Sequence, residues 1–272
     1  METYGYTIRV RGRLMDLSRP RVMGILNVTP DSFFGDSRKQ TEAEIAERAR
    51  QIINEGGDII DIGACSTRPG STPVDEEEET RRLEMAMAVV RRELPDAVVS
   101  IDTFRPQVAC RCVEEWGADI INDVNPGPEM FAMIARLRVP YVLMSTESNL
   151  HDMLKRWASE VRELHTQGVS DIILDPGFGF GKTLEENHVL MKQVKDMQVM
   201  GLPLLVGISR KSMISRVLDI PTEECLNGTT VLNTMALMQG TSILRVHDVR
   251  EAVEAVKLFT VNRKPSTVNR KQ

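Results

Sequence analysis

Eight short apolar segments recur between residues 21 and 258, and each is followed by a pattern typical of an amphipathic helix. They predict strands at 22–26, 58–62, 98–102, 119–123, 141–144, 171–175, 204–207 and 242–246. Strands that are apolar almost throughout are typical of parallel sheets covered on both faces. Eight strand-then-helix units in 272 residues therefore predict an α/β fold made of a single (β/α)8 TIM barrel. A doubly wound open sheet is the alternative.

The barrel is expected to span residues 21–260. Residues 1–20 would form a short N-terminal extension, in which the segments 7–10 and 14–17 around Gly12 indicate a possible short hairpin. The basic stretch 261–272 is expected to be a frayed tail.

Composition narrows the class of protein. A net charge of −5 gives no general electrostatic reason to bind nucleic acid or an anionic membrane. No apolar run approaches the ~20 residues of a membrane span, and the polar start is unlike a signal peptide. Four cysteines without a Cys-x-x-Cys pair favour a reduced, cytoplasmic protein. A structural zinc site is the less favoured interpretation.

Polar side chains collect at the predicted carboxyl ends of the strands, where barrel enzymes carry their active sites. In order, the eight ends are Asn27, Asp61, Asp102, Asn122, Met144, Asp175, Gly207 and Arg245. Because an unpaired buried carboxylate costs several kcal/mol, this ring should hold a ligand or internal cations. For Asp61 and Asp123, accepting hydrogen bonds from loop N–H groups is an equally good interpretation.

Cationic segments gather at the same predicted mouth. Residues 66–70 (STRPG) follow the second strand, 209–212 (SRKS) the seventh, and 245–248 (RVHD) end the eighth. The loops after strands seven and eight commonly bind phosphate in barrels. The mouth would then suit a small, planar, donor-rich ring that carries a phosphate. Any single one of these residues could instead form a surface salt bridge.

The segment 175–182 (DPGFGFGK) lies between a predicted strand and a helix. It ends like a nucleotide-binding P-loop, but Pro176 occupies the position of that motif's first glycine. Lys182 likewise occupies the third glycine position of the dinucleotide fingerprint. We therefore expect the glycines to shape a loop around Asp175, whose carboxylate carries the chemistry. A plain strand-to-helix turn is the alternative.

Two helix starts can be predicted. Thr41 with Glu44 indicates a capping box at the start of the first barrel helix. The acidic run 76–79 indicates a solvated first turn of the second helix, where the helix dipole favours carboxylates.

Two further motifs carry a family resemblance. Residues 23–33 (MGILNVTPDSF) and 61–70 (DIGACSTRPG) resemble the two signatures of the dihydropteroate synthases, which are enzymes of folate biosynthesis. The motifs at 100–103, 121–124, 175–182, 209–212 and 245–248 follow in that family's order. The resemblance extends from residue 21 to residue 258, and the first two motifs together are highly specific.

The resemblance implies a transferase that condenses 6-hydroxymethyl-7,8-dihydropterin diphosphate with 4-aminobenzoate, giving 7,8-dihydropteroate and diphosphate. Diphosphate would leave first, and the arylamine would attack the resulting ring-stabilised cation. A magnesium ion (Mg2+) is implied as cofactor. A homodimer through the last barrel helices is implied as well. The apolar residues that would serve it, or would simply be core, are Leu232, Met235, Leu237 and Met238.

The resemblance also assigns residues. The pterin would be bound by Asp102, Asn122, Met144, Asp175 and Lys211. The diphosphate would be bound or supported by Asn27, Asp61, Thr67, Arg68, Arg245 and His247. The aminobenzoate would be framed by Phe33, Thr67, Pro69, Phe180, Lys211 and Ser212. The catalytic residues would be Asp102, Lys211 and Arg245, and the metal ligand would be Asn27.

The chain departs from the family pattern at two places. After Met144 the family usually has a histidine and a longer insertion, whereas here Ser145 leads promptly into a helix. Residues 34–37 also differ from the usual end of the first signature. Two other functions remain open at this point: a pterin-dependent methyltransferase of the same barrel superfamily, and a non-catalytic pterin- or diphosphate-binding protein.

Overall fold

The computed structural model describes residues 5–28, 38–65 and 74–263. Ten strands lie within these ranges. A pair at the N-terminus comprises β1 (Thr7–Val10) and β2 (Arg13–Asp16). The remaining strands are β3 (Arg21–Asn27), β4 (Ile59–Gly63), β5 (Val98–Asp102), β6 (Ile120–Asp123), β7 (Tyr141–Met144), β8 (Ile172–Asp175), β9 (Leu205–Val206) and β10 (Ile243–Val246).

Nine α helices connect these strands within the described part of the chain. They are α1 (Arg38–Asn54), α2 (Glu76–Glu93), α3 (Pro106–Glu114), α4 (Pro128–Leu137), α5 (Leu150–Thr166), α6 (Leu184–Lys192), α7 (Ser212–Leu218), α8 (Leu226–Met238) and α9 (Val249–Arg263). Local caps start several of them. Asp75 accepts a hydrogen bond from the Glu78 amide to start α2, and Thr183 and Glu186 form a reciprocal capping box on α6.

The strands β3 to β10 form one parallel sheet in the order β8-β7-β6-β5-β4-β3-β10-β9. The two ends of this sheet meet at a parallel bridge between Leu174 and Leu204. There the Leu174 amide donates to the Pro203 carbonyl at 2.9 Å. A doubly wound sheet would leave these ends apart. The predicted (β/α)8 barrel is therefore confirmed.

The N-terminal pair closes the lower end of the barrel. β1 and β2 are antiparallel, with Ile8 opposite Met15. Ile8, Val10 and Leu17 are buried and pack against an apolar cluster inside the barrel. That cluster comprises Met23, Ile59, Ile120, Val142, Ile173, Leu205 and Ile243. Because the lower half of the barrel is sealed by apolar side chains, polar ligands have access only from the opposite end.

Three helix predictions need correction or extension. α1 begins at Arg38, so Thr41 lies inside the helix and the capping box predicted at its start is wrong. The first turn of α2 is only partly solvated: Glu76 and Glu77 are exposed, but Glu79 is fully buried. α9 continues to Arg263, and residues 264–272 lie outside the described residues. Among the helices described, none is long and apolar enough to cross a membrane.

Candidate active site

The polar residues predicted at the strand ends face the inside of the barrel. Side chains alternate along a strand, so residues two apart lie on the same face. The apolar cluster below occupies one inward layer. The layer above it, two residues further along each strand, contains Ile25, Asp61, Ser100, Asn122, Met144, Asp175, Gly207 and Arg245. Strand register then places Asn27 and Asp102 level with each other, on either side of Gly63.

Arg245 is held between two of these carboxylates. Its Nε donates to Asp61 Oδ2 at 2.7 Å, and its Nη2 donates to Asp102 Oδ2 at 2.6 Å. Burial lowers the pKa of Arg245, but the two carboxylates reverse this and raise it. Arg245 is therefore a permanent cation, and its other N–H groups remain for a ligand.

The environment favours the charged form of Arg245, but it favours the neutral form of Asp102. Burial raises the pKa of Asp102, Arg245 lowers it, and the nearby carboxylates of Asp61, Asp123 and Glu79 raise it. A carboxylate with a raised pKa at a barrel mouth is a candidate for chemistry rather than for structure alone.

Asn122 and Asp175 offer hydrogen-bond acceptors to a ligand. The Asn122 amide Nδ2 donates weakly to Asp61 at 3.3 Å, while its buried Oδ1 has no partner. Asp175 Oδ1 accepts from the Gly177 amide at 2.8 Å, and burial raises the pKa of this carboxyl although Lys211 lowers it. Met144 is buried beside them at the end of β7. An unsatisfied buried acceptor is costly, which indicates that a donor-bearing ligand completes this corner.

Lys211 and Phe180 lie together at the rim. The Lys211 ammonium is 4.8 Å from the centroid of the Phe180 ring and donates to the Phe178 carbonyl. Burial lowers the pKa of Lys211 to about 8, against the effect of Asp175. The Lys211 side chain can pass this close to the loop because residue 179 is a glycine, at φ +84°. A Cβ at this position would lie only 3.1 Å from Lys211 Cδ.

The neighbouring part of the rim, after β9, β10 and β3, carries residues predicted for the diphosphate. Ser209 Oγ lies 3.1 Å from both the amide nitrogen and Nδ1 of His247. The Asn27 side chain is half-buried at the end of β3. Arg210 instead pairs with Asp248, with contacts of 2.9 and 2.7 Å, so for this residue the salt-bridge interpretation holds. Ser212 is exposed at the first position of α7.

Four predicted site residues, Phe33, Thr67, Arg68 and Pro69, lie outside the described residues. The others are brought together at one end of the barrel. Asp123 is different: its Oδ1 accepts from the Asn125 amide at 2.8 Å and its Oδ2 accepts from Tyr141 Oη at 2.6 Å. It is therefore structural, as the loop-acceptor alternative expects. Asp61 pairs with Arg245 rather than with loop amides.

The zinc interpretation finds no support in the described ranges. All four cysteines are free, and no cluster of three or more potential metal ligands occurs among the residues described.

One element of the site was not predicted from the sequence. Glu79 accepts from Thr103 Oγ1 at 2.6 Å and pairs with Arg105, whose Nη2 donates to the Val74 carbonyl at 2.6 Å. This buried network holds the segment that follows Asp102. The spacing in the sequence does indicate that Glu79 is buried. Glu79 precedes Leu83 by four residues and Met87 by eight, so it lies on the apolar stripe of α2.

Fold and site together define a (β/α)8-barrel enzyme. Its mouth has an Asp/Asn half for a donor-rich ring and a cationic half for an anion. The comparisons with known proteins agree. Residues 23–247 match the model of the pterin binding enzyme family. The dihydropteroate synthase of Escherichia coli (strain K12) is 37% identical over 265 residues, covering 91% of this chain and 93% of that protein.

Solved structures extend the similarity to three dimensions. The Yersinia pestis dihydropteroate synthase in complex with a sulfonamide drug has a TM-score of 0.85 at 34% identity, covering 96% of this chain and 100% of that one. The Xanthomonas albilineans dihydropteroate synthase with 4-aminobenzoic acid has a TM-score of 0.87 at 33% identity, covering 96% and 99%. The chain belongs to the pterin-binding enzyme family, as a transferase of its dihydropteroate synthase branch.

Proposed function

We propose that this chain condenses 6-hydroxymethyl-7,8-dihydropterin diphosphate with 4-aminobenzoate, giving 7,8-dihydropteroate and diphosphate, through the residues at the barrel mouth. The observation that carries this proposal is the unsatisfied Oδ1 of Asn122, whose Nδ2 donates to the same Asp61 carboxylate that holds the cation Arg245. A ring with N–H and NH2 donors on one side and a diphosphate on the other meets both needs.

The pterin is proposed to lie in the Asp/Asn half. Asp175 accepts its paired ring and amino donors side by side, as carboxylates do with such pairs. Asn122 Oδ1 accepts a further donor, and Met144 packs against the ring. Lys211 contributes a cation at the rim, where it also reaches the aminobenzoate side.

The diphosphate is proposed to bind in the cationic half. Arg245 and His247 hold it among the described residues, Asn27 lies at the same rim, and the family resemblance adds Thr67 and Arg68. Asp61 acts through Arg245, because its carboxylate is fully buried and paired with the guanidinium. As the C–O bond to diphosphate breaks, Arg245 stabilises the departing negative charge. Asp102, which shares this arginine, places negative charge near the pterin cation that remains.

Magnesium fits the Asn27 position. The Asn27 amide oxygen lies at the rim, 3.4 Å from where a Cβ on Gly63 would be, and an amide oxygen is a hard ligand of the kind that Mg2+ takes. Mg2+ commonly takes one or two protein oxygens and completes its octahedron with phosphate oxygens and water. We propose that Asn27 holds the ion, which when bound neutralises charge on the diphosphate leaving group.

The aminobenzoate is proposed to bind between Phe180, Lys211 and Ser212, with Phe33, Thr67 and Pro69 assigned by resemblance. The ammonium of Lys211 can pair with the carboxylate of the substrate while the Phe180 ring packs on its aromatic face. A sulfonamide would then compete for the same place.

Two further proposals concern the protein as a whole. The α8 residues Val231, Met235 and Met238 are exposed, and they continue onto Leu258 and Val261 of α9. We propose that this face forms a homodimer. Leu237, by contrast, is fully buried and belongs to the core. The four free thiols support a reducing compartment, and we propose the cytoplasm.

One experiment tests the reaction. The purified chain is given the pterin diphosphate and Mg2+, with and without 4-aminobenzoate, and diphosphate and dihydropteroate are measured. Formation of both products in proportion to 4-aminobenzoate supports the proposal. Binding without product would favour the non-catalytic alternative. Methyl transfer from a methylated folate to a corrinoid, without diphosphate release, would favour the methyltransferase.

A further inference from the structure

Lys182, the residue that gives the segment 175–182 its P-loop-like ending, turns back onto its own loop. Its Nζ donates to the carbonyls of Gly177 at 2.9 Å, Ser145 at 3.1 Å and Phe180 at 3.2 Å. An ammonium has three N–H donors, so all of them are used within the protein. Lys182 therefore does not act as a ligand-binding cation.

Asn187 of α6 holds the same segment from the other side. Its Nδ2 donates to the Thr183 carbonyl at 2.6 Å and the Lys182 carbonyl at 3.3 Å, and its Oδ1 accepts from the Gly179 amide at 2.7 Å. Asn187 is buried, at 3% exposure. Two buried or half-buried side chains thus make five hydrogen bonds to the backbone of residues 177–183, and a sixth ties the segment to the Ser145 carbonyl after β7.

This stretch needs such restraint. Gly177, Gly179 and Gly181 all adopt positive φ angles, of 62°, 84° and 63°. Glycine loses more conformational freedom on ordering than any other residue. The segment nevertheless carries Phe180, and it supplies the Phe178 carbonyl that receives the Lys211 ammonium.

We propose that Lys182 and Asn187 are positioning residues for the aminobenzoate half of the reaction. They fix the glycine-rich segment so that Phe180 and Lys211 keep their mutual placement. This inference rests on the proposed function, in which those two residues bind 4-aminobenzoate. The pterin side depends on them less, because Asp102, Asn122, Met144 and Asp175 lie on strands β5 to β8, and of these Asp175 alone also contacts the restrained segment, through the Gly177 amide.

The expected effect is a split between the two substrates. Without the restraint, only a fraction of the loop conformations can bind aminobenzoate, and the apparent affinity falls by that fraction. Lys182→Met, which keeps the chain length and removes the ammonium, should raise the KM for 4-aminobenzoate at least tenfold. The KM for the pterin diphosphate and kcat should stay within threefold of the parent enzyme.

Two matched variants sharpen the test. Asn187→Leu removes the second set of bonds at similar volume and should give the same split. Lys192→Met removes an exposed lysine from the last turn of α6 and should change neither KM. Urea denaturation identifies any variant that does not fold. Equal increases in both KM values, or an unchanged aminobenzoate KM in a folded variant, would overturn the inference.

A second readout is independent of activity. Amide hydrogen exchange at residues 177–183 should become at least tenfold faster in Lys182→Met, while exchange in α5 stays unchanged. Unchanged exchange at 177–183 would also overturn the inference. If the parent enzyme forms no dihydropteroate, the proposed reaction fails instead, and the exchange measurement still decides whether Lys182 orders the segment.

Discussion

Arg245 and Asp102 form a 2.6 Å ion pair across the barrel mouth, although they are 143 residues apart in the chain. The same guanidinium is held by Asp61, which is fully buried one layer below. The cation assigned to the diphosphate and the carboxylate assigned to the pterin side are therefore one unit. A change in charge on either half is expected to affect the other.

The first prediction concerns Asp61→Asn. The substitution removes the buried charge that fixes Arg245 but leaves the Asp102 contact. We expect the KM for the pterin diphosphate to rise at least tenfold, because Arg245 loses its orientation. The affinity for a pterin without diphosphate should change less than twofold. Asp58→Asn is the control, since Asp58 lies at the other end of β4 and pairs with Arg21. Equal losses for both pterin ligands would contradict the assignment.

The second prediction concerns pH. Burial lowers the pKa of Lys211 to about 8, so the ammonium loses its proton as pH rises through that value. If the charged form binds substrate, kcat/KM should fall with rising pH above about 8. Lys211→Arg stays charged, since the guanidinium pKa exceeds about 12, and should lose this alkaline limb even if its activity is lower.

A control separates the two rim lysines, because burial also lowers the pKa of Lys182 to about 8. Lys182→Met should retain the alkaline limb, measured for the pterin substrate at saturating aminobenzoate. A limb that disappears in Lys182→Met but persists in Lys211→Arg would show that the wrong lysine has been assigned.

The third prediction concerns stability. Glu79→Gln keeps an acceptor for Thr103 but leaves Arg105 without its carboxylate, and breaking a buried ion pair costs about 3–5 kcal/mol. Because Arg105 is 19% exposed, we expect the lower end, about 3 kcal/mol, in the free energy of unfolding by urea. Glu78→Gln is the matched control in the same turn. Its carboxylate is about one-third exposed, whereas that of Glu79 is fully buried, and the substitution should cost about 1 kcal/mol or less. Equal costs would show that burial of Glu79 contributes nothing.

The strand pattern made much of this site predictable. A strand has a period of two, so a polar residue at the end of an apolar segment must face either the barrel interior or the helices. The predicted ends Asp61, Asp102, Asn122 and Asp175 all face inward, as the register of the sheet requires. Because Asp and Asn side chains are short, the strand backbone alone nearly determines where their polar atoms lie.

Long side chains and loops were less predictable. Lys182 and Arg210 have several rotatable bonds, and the sequence does not tell which carbonyl or carboxylate each will reach. Lys182 reaches its own loop and Arg210 reaches Asp248. Glu79 was misjudged for another reason. Composition alone favours solvent for four consecutive acids, while the helical period places the fourth inside.

The last prediction concerns Asp175, whose carboxylate is proposed to accept the paired donors of the pterin. One oxygen already receives the Gly177 amide at 2.8 Å, so the acceptor is fixed in place by its own loop. In Asp175→Asn one oxygen becomes an NH2 group. If the remaining oxygen stays on the Gly177 amide, the new NH2 points at a pterin donor and the two repel. If the amide flips, the Gly177 contact is lost instead. Either arrangement should cost about 2–5 kcal/mol of pterin binding, measured by calorimetry on the folded variant.

Asp171→Asn, at the other end of the same strand, should bind pterin like the parent enzyme, because only its backbone carbonyl is used in the sheet. Unchanged pterin affinity in folded Asp175→Asn would mean that the ring is recognised elsewhere, and the orphan acceptor of Asn122 would then require another partner.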